Sequence, residues 1–183
     1  MNQPITFQTI LKFWFEDISP SQWWTKDIEF DNIIREKFSV IHHAAQQGEL
    51  FEWRSCEKGR LAEIIILDQF SRNIFRDSPQ AFACDNAALV LAQEAISAGA
   101  TNILTPQESA FLYMPFMHSE SLKIQAISLK LYQATGLTES YNFAVQHSNI
   151  IEKFGRYPHR NAILGRASTT DELTFLAGPN SSF

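Results

Sequence analysis

The sequence predicts an all-α domain of about eight helices, on three observations. Apolar residues recur at helical spacing along the chain. Glycine and proline interrupt that spacing at helix-length intervals. The stretches between periodic segments are short, so helices adjacent in sequence pack antiparallel. No linker or shift of composition divides the 183 residues, which read as one domain.

The elements follow in order. Phe7, Ile10, Leu11, Trp14 and Phe15 make one apolar face of a first helix. Ser19-Pro20 and the Trp23-Trp24 pair form its connection to a second. That helix runs from about Asp27 through Phe30, Ile34, Phe38, Ile41 and Ala45 to a stop at Gly48. A third covers about 57–73. Its Ile64-Ile65-Ile66-Leu67 run suits a strand on propensity alone. Leu61, Ala62, Ile65 and Phe70 keep helical spacing, however, and no partner strand is visible. Ser78-Pro79 is read as opening a helix with Phe82, Leu89 and Ile96 at intervals of seven, ending at Gly99. Thr105-Pro106-Gln107-Glu108 is a capping box with proline at the first helical position, and Pro115 ends or kinks what it starts. The next helix runs over about 119–136, with Ser119 as N-cap and Leu122, Ala126 and Leu129 inward. Thr138 starts another, carrying Phe143, His147, Ile150, Ile151 and Phe154 to Gly155. A loop with a helical turn covers 156–165. Thr169-Thr170-Asp171-Glu172, a second capping box, opens a short last helix through Leu176.

Composition excludes several functions. Hydrophobic residues make up 45% and charged residues 19%, which is globular and not disordered. The net charge of −5 provides no basic excess for binding phosphate backbones, so no nucleic-acid partner is expected. No stretch approaches 18 apolar residues, so no membrane span is expected. The opening MNQPITFQTILKFWFED lacks a basic n-region and carries Glu16 and Asp17, unlike a signal peptide. Asn180-Ser181-Ser182 then matches a glycosylation acceptor only by chance. Cys56 and Cys84 stand in no CxxC pattern and are expected as reduced, buried thiols in a cytoplasmic protein.

Polar residues with chemical potential concentrate in three otherwise apolar segments. The first, 67–77, places Asp68 with Arg72, and Gln69 with Asn73, four apart on neighbouring helical stripes, and ends with Arg76. The second, 113–120, brings His118 and Glu120 to a helix junction. The third, 154–166, holds Arg156, His159, Arg160, Asn161 and Arg166. Five of the eight arginines lie in the first and third segments. Arginine suits bidentate recognition of carboxylate or phosphate, so such a cluster in an acidic protein needs internal acids or an anionic ligand. On this reading the three segments converge. His118 and His159 are the candidate proton-transfer groups, with Asp68 and Glu120 orienting them. The candidate ligand-binding residues are Arg72, Arg76, Arg156, Arg160 and Arg166, with Gln69, Asn73 and Asn161. A bound anion would push a neighbouring histidine toward its protonated form. No metal is expected, because His118, Glu120, His147 and His159 lack any HExxH-type spacing. No cofactor motif or glycine-rich phosphate loop is present either. The plain alternative is that Asp68–Arg72 and the other arginines are structural ion pairs.

ILKFWFED, LDQFSRNIFR, YMPFMHSE and FGRYPHRNAILGR together resemble the bacterial family known as domain of unknown function 924, over about 10–176. One departure is Tyr157 where that family has phenylalanine; aromatic character is kept. The resemblance implies stacked helical hairpins of tetratricopeptide-repeat type and carries no activity with it. It leaves two partner classes open: a small anionic ligand in the polar cluster, or a peptide on the face of a helical array, with the cluster then purely structural.

Overall fold

The structure, a computed structural model, describes residues 5–179 and 181. Residues 1–4 of the opening stretch, and Asn180 and Ser182 of the acceptor-like triplet, lie outside the described residues. Every regular element among the described residues is helical. The Ile64–Leu67 run is therefore helix, as its spacing demanded.

The first helix, α1 (Phe7–Lys12), passes into a π-helical turn, Phe13–Asp17. A 3₁₀ turn at Pro20–Trp23 leads to α2 (Ile28–Gln46), whose N-cap Asp27 accepts from the Glu29 and Phe30 amides. After a 3₁₀ turn at Phe51–Ser55 comes one helical rod in three pieces. These are α3 (Glu57–Ile65), a π-helical segment Ile66–Phe70, and α4 (Ser71–Ile74). The rod is central: α1, α5 (Asp85–Ser97) and α6 (Pro106–Leu112) pack on α3, while α2 packs on α4 and the π segment. The short α7 (Met114–Met117) lies against α5 and α9. The last large pair, α8 (Leu122–Thr135) and α9 (Thr138–Phe154), is a tight hairpin turned at Gly136-Leu137. A 3₁₀ turn at Pro158–Arg160 precedes α10 (Thr170–Leu176). Both predicted capping boxes form: Thr105 with Glu108, and Thr169 with Glu172.

The core is aromatic around the rod. Phe70 packs against Phe38 at 5.0 Å and Trp14 at 5.5 Å between ring centroids, and Phe13 meets Phe38 at 4.8 Å. His42 enters this core at 1% exposure. Its Nε2–H donates to the Ser71 hydroxyl at 2.8 Å, and that hydroxyl donates to the Leu67 carbonyl at 2.6 Å.

Several inward faces differ from the apolar pattern. Ser78-Pro79 opens only a 3₁₀ turn, Pro79–Phe82, and the helix itself starts at Asp85. On α5 the buried row is Ala88, Ala92 and Ala95, all at 0% exposure, while Phe82, Leu89 and Ile96 are half-buried beside it. Small side chains let α5 approach α3 closely; the larger ones fill the margins. On α8, Leu122 is 57% exposed and Ala126 is exposed, whereas Gln125, Ser128 and Tyr132 are buried. The reason is hydrogen bonding. Gln125 donates its amide hydrogens to the Met117 and Ser119 carbonyls at 2.8 and 2.7 Å, and Tyr132 donates to the Ala110 carbonyl at 2.8 Å. These carbonyls lie near the C-terminal ends of α6 and α7, where helices leave acceptors unfilled. Ser119 is not the N-cap of α8; that position is Ser121, whose amide donates to the Ser119 hydroxyl. Phe143 is 45% exposed and stacks on Trp24 at 6.2 Å. Cys84 is buried, but Cys56 is only half-buried.

Gly59 fixes how the central rod begins. A Cβ there would lie 2.0 Å from the Trp53 carbonyl oxygen, so only glycine fits against the preceding turn. Gly59→Ala should therefore cost about 2–3 kcal/mol through forced backbone movement. Gly48→Ala, in open space at φ +73°, should cost only about 1 kcal/mol of left-handed strain. Urea unfolding of both variants checks this, and equal losses would refute the close-approach account.

Candidate functional site

The π-helical segment sets the site. It carries Asp68 at 0% exposure, one residue after the buried Ile66-Leu67 pair. A π turn widens the helix and re-aims the side chains it contains, and such turns recur at functional positions. Here three neighbours surround the Asp68 carboxylate. His118 Nδ1 lies 2.8 Å from Oδ1, the Gln69 amide donates to Oδ2 at 2.5 Å, and Arg72 Nη1 lies 3.3 Å from Oδ1. Arg72 also donates to the Asp68 carbonyl at 2.7 Å, then forks onto Asp85 at the start of α5, at 3.0 and 3.2 Å. Asp85 is shared: Arg160 Nη1 donates to its Oδ2 at 3.2 Å. A chain of alternating charge, Asp68–Arg72–Asp85–Arg160, thus joins the first segment to the third.

Arg160 is held differently from the other arginines. Its guanidinium lies between two rings, 4.7 Å from the Phe82 centroid and 4.6 Å from that of Tyr157. The residue is 6% exposed, and its buried Nε has no hydrogen-bond partner among the described residues. Tyr157 donates to the Met117 carbonyl at 2.5 Å and its hydroxyl lies 3.0 Å from the Gln125 amide nitrogen, so the platform under Arg160 is itself fixed. Glu120 is clamped by Arg166 at 2.7 and 2.9 Å and accepts the Tyr157 amide at 2.8 Å.

A cavity of about 300 Å³ opens between the α5 start, the α7 end and the 158–164 turn. Its lining includes the polar Asp85, Asn86, His118, Glu120 and Arg160 and the apolar Phe82, Leu89, Pro115 and Leu164. That volume lies at the lower end of ligand sites and would accept a small molecule.

The three segments therefore do meet, but not all their residues do. His118, Glu120 and Arg160 reach the cavity; Asp68, Arg72 and Gln69 stand behind it. His159 packs against Tyr157, 5.5 Å between ring centroids. Asn73 and Arg76 belong elsewhere, both bonded to the buried Asp31 of α2, at 2.8 and 2.6 Å. Arg156 is clamped on Glu172 at 2.6 and 2.8 Å, which ties the third segment to α10. Asn161 donates to the Ser168 hydroxyl at 3.0 Å, bracing the same loop. Asp85, Phe82 and Tyr157 were not among the site residues expected from the sequence. Asp85 sits outside all three segments, and a lone acid at a helix start looks like ordinary dipole compensation. Among the described residues, no three His, Cys, Asp or Glu side chains are grouped to hold a metal ion.

Burial and charge set the ionisation. Burial works against a charged Asp68, but Arg72 and His118 outweigh it and hold the carboxyl well below its usual range. Burial also lowers His118, and Arg72 adds to the effect, against the opposing pull of Asp68. Both effects favour the neutral ring of His118. Ionised Asp68 accepts only, so the ring proton sits on Nδ1 and Nε2 keeps its lone pair. Burial lowers Arg160 as well, with Arg72 second; Asp85 and Glu120 compensate only in part.

Two outcomes follow. Burial holds His42 and His159 neutral down to about 4, and His147 down to about 3. Below ~6.5 the unfolded chain binds protons that the folded one refuses, so stability is full above that pH and falls as pH drops toward 4. Urea midpoints measured from pH 7.5 to 4 should decline through this window; a flat profile would contradict neutral burial. Asp68→Ala should cost about 3–5 kcal/mol, because Arg72 and His118 lose a buried partner. Asp77→Asn, which removes an exposed pair with Lys26, should cost under about 1 kcal/mol. Asparagine suits the test because Asp77 sits at φ 60°, a conformation it tolerates.

Comparison with known proteins supports the fold and the family. A family model described as "Bacterial protein of unknown function (DUF924)" matches residues 10–180. The solved structure of a protein of unknown function from Agrobacterium tumefaciens is similar, with 36% sequence identity and a TM-score of 0.88. The match covers 93% of this chain and 96% of that one. No curated protein matches the chain. With nearly its whole length matched, the chain belongs to the bacterial DUF924 family.

Proposed function

We propose that the cavity beside His118 is a binding site for a small anionic molecule, with Arg160 as its anchor. The observation that carries this is the state of Arg160. It is a buried guanidinium on the cavity wall, its one ion pair among the described residues is a 3.2 Å contact to a carboxylate already forked by Arg72, and its Nε has no partner. A buried charge so loosely compensated is costly, and a carboxylate or phosphate in the cavity would supply the missing charge-assisted bonds. The apolar wall of Phe82, Leu89 and Leu164 favours an organic anion over a bare ion. Two free cysteines fit a reducing compartment, and we place the protein in the cytoplasm.

A second reading has its own support. Arg72, Arg76, Arg156, Arg160 and Arg166 each have a carboxylate partner, so the cluster would serve as a staple between helices, leaving any peptide to bind an outer face. Calorimetry with inorganic phosphate separates the two. Under the anion reading the wild type binds at millimolar phosphate. Arg160→Ala weakens binding at least about tenfold, the scale of one lost charge-assisted bond. Arg156→Ala, on Glu172, leaves it within about twofold. No binding by the wild type would leave the staple.

A further inference from the structure

The cavity has a second polar feature besides its anchor. His118 lines it, 13% exposed at the side chain, and is braced by the wholly buried carboxylate of Asp68. The brace is itself held: Gln69 donates to its Oδ2 at 2.5 Å, and Arg72 Nη1 lies 3.3 Å from its Oδ1. With Nδ1 committed to Asp68, Nε2 is the nitrogen the ring can offer to the cavity. This is the arrangement in which a carboxylate fixes the tautomer of a catalytic imidazole and then stabilises the cation formed when the ring takes a proton. No protein nucleophile accompanies it. Among the described lining residues Ser119 alone carries a hydroxyl, thiol or amine. That hydroxyl accepts the Ser121 amide at 3.3 Å and belongs to the residue next to His118, a spacing from which two side chains seldom meet.

We infer that His118, oriented by Asp68, is the general base of this cavity, taking a proton from a hydroxyl group carried by the bound oxyanion. The inference rests on the anion reading above and adds a chemical step to it. The O–H bond of the ligand breaks, its electron pair stays on oxygen, and the proton forms the Nε2–H bond. The imidazolium is balanced by Asp68, and the alkoxide lies in a cavity that also holds Arg160. The ligand class is therefore a small hydroxylated carboxylate or phosphate with an apolar portion. A neutral resting ring is what a base needs at pH 7. Burial sets that state first and Arg72 on the rod adds to it, while Asp68 on the rod and Asp85 on α5 pull the other way; His147 of α9, at 6.3 Å between ring centroids, and His159 of the 3₁₀ turn are also within electrostatic reach.

The test uses the wild-type protein first. Nitrogen-15 NMR of the imidazoles at pH 7 should show His118 with Nδ1 protonated and Nε2 bare, titrating below its ordinary pH. Diethyl pyrocarbonate, which acylates neutral accessible imidazole, should then modify His118 alongside the exposed His43, with sites mapped by mass spectrometry. Inorganic phosphate should slow the reaction at His118 and not at His43, and Arg160→Ala should abolish that protection. Asp68→Asn, whose amide favours the wrong tautomer, should slow modification of His118 about tenfold or more. Should that variant fail to fold, the tautomer read in the wild type still decides. A proton on Nε2 at pH 7, or a His118 inert while His43 reacts, overturns the inference. Phosphate that binds by calorimetry but leaves His118 unprotected also overturns it and leaves the anion site standing. A reactive His118 in a protein that binds no phosphate overturns the anion site, and with it the oxyanion as the source of the proton.

Discussion

The buried carboxylate of Asp68 is the constraint around which much of the molecule is arranged. An ionised group at 0% exposure needs its lost hydration replaced by fixed donors. Those donors come from different parts of the chain: Gln69 and Arg72 from the rod itself, His118 from the end of α7. Each donor creates a further requirement. Arg72 needs a second anion, which Asp85 provides, and Asp85 in turn fixes where α5 begins relative to the rod. His118 must be delivered at the end of α7, and the carbonyls left open there are closed by Gln125 from α8 and by the Tyr157 hydroxyl. One charge thus accounts for contacts among the rod, α5, α7, α8 and the 157–160 turn.

The same arrangement explains why the interior is polar on one side and aromatic on the other. Phe13, Trp14, Phe38 and Phe70 lie at one flank of the rod, where ring packing dominates and His42 is the polar group admitted, through its bond to Ser71. Farther from the rod, α8 presents Gln125, Ser128 and Tyr132 inward, against α6 and α7. A polar group can be buried at little net cost when its partner is a backbone carbonyl that would otherwise go unfilled. The π-helical turn at Ile66–Phe70 sits between these two regimes, with Phe70 directed to the aromatic flank and Asp68 to the polar one.

The arginines illustrate how residue type and role separate. The five that cluster in sequence do three jobs in space. Arg76 and Arg156 tie Asp31 of α2 and Glu172 of α10 to their neighbours, and Arg166 holds Glu120. Arg72 transmits between two acids. Arg160 alone among them is buried on a cavity wall between two rings. Guanidinium geometry suits all of these, so the residue count by itself could not assign them.

What the sequence by itself determined is local. The helical period, the capping boxes at Thr105 and Thr169, the stop at Gly48 and the helical state of Ile64–Leu67 all follow from interactions within a few residues, which a chain carries wherever it folds. The meeting of His118 with Asp68 was also anticipated, because polar residues inside apolar segments must find partners. Tertiary structure alone decided which partner each one took. Asn73 and Arg76 went to Asp31, 42 and 45 residues away, and Arg160 went to Asp85, 75 residues away. Those separations leave no periodic mark on a sequence. The inward face of α8 was hidden for the same reason. Leu122 and Ala126 look like core by hydropathy, but the carbonyls that draw Gln125 and Tyr132 inward belong to other helices. Hydropathy records what a side chain gains by leaving water; it does not record which distant donor or acceptor will be waiting when it does.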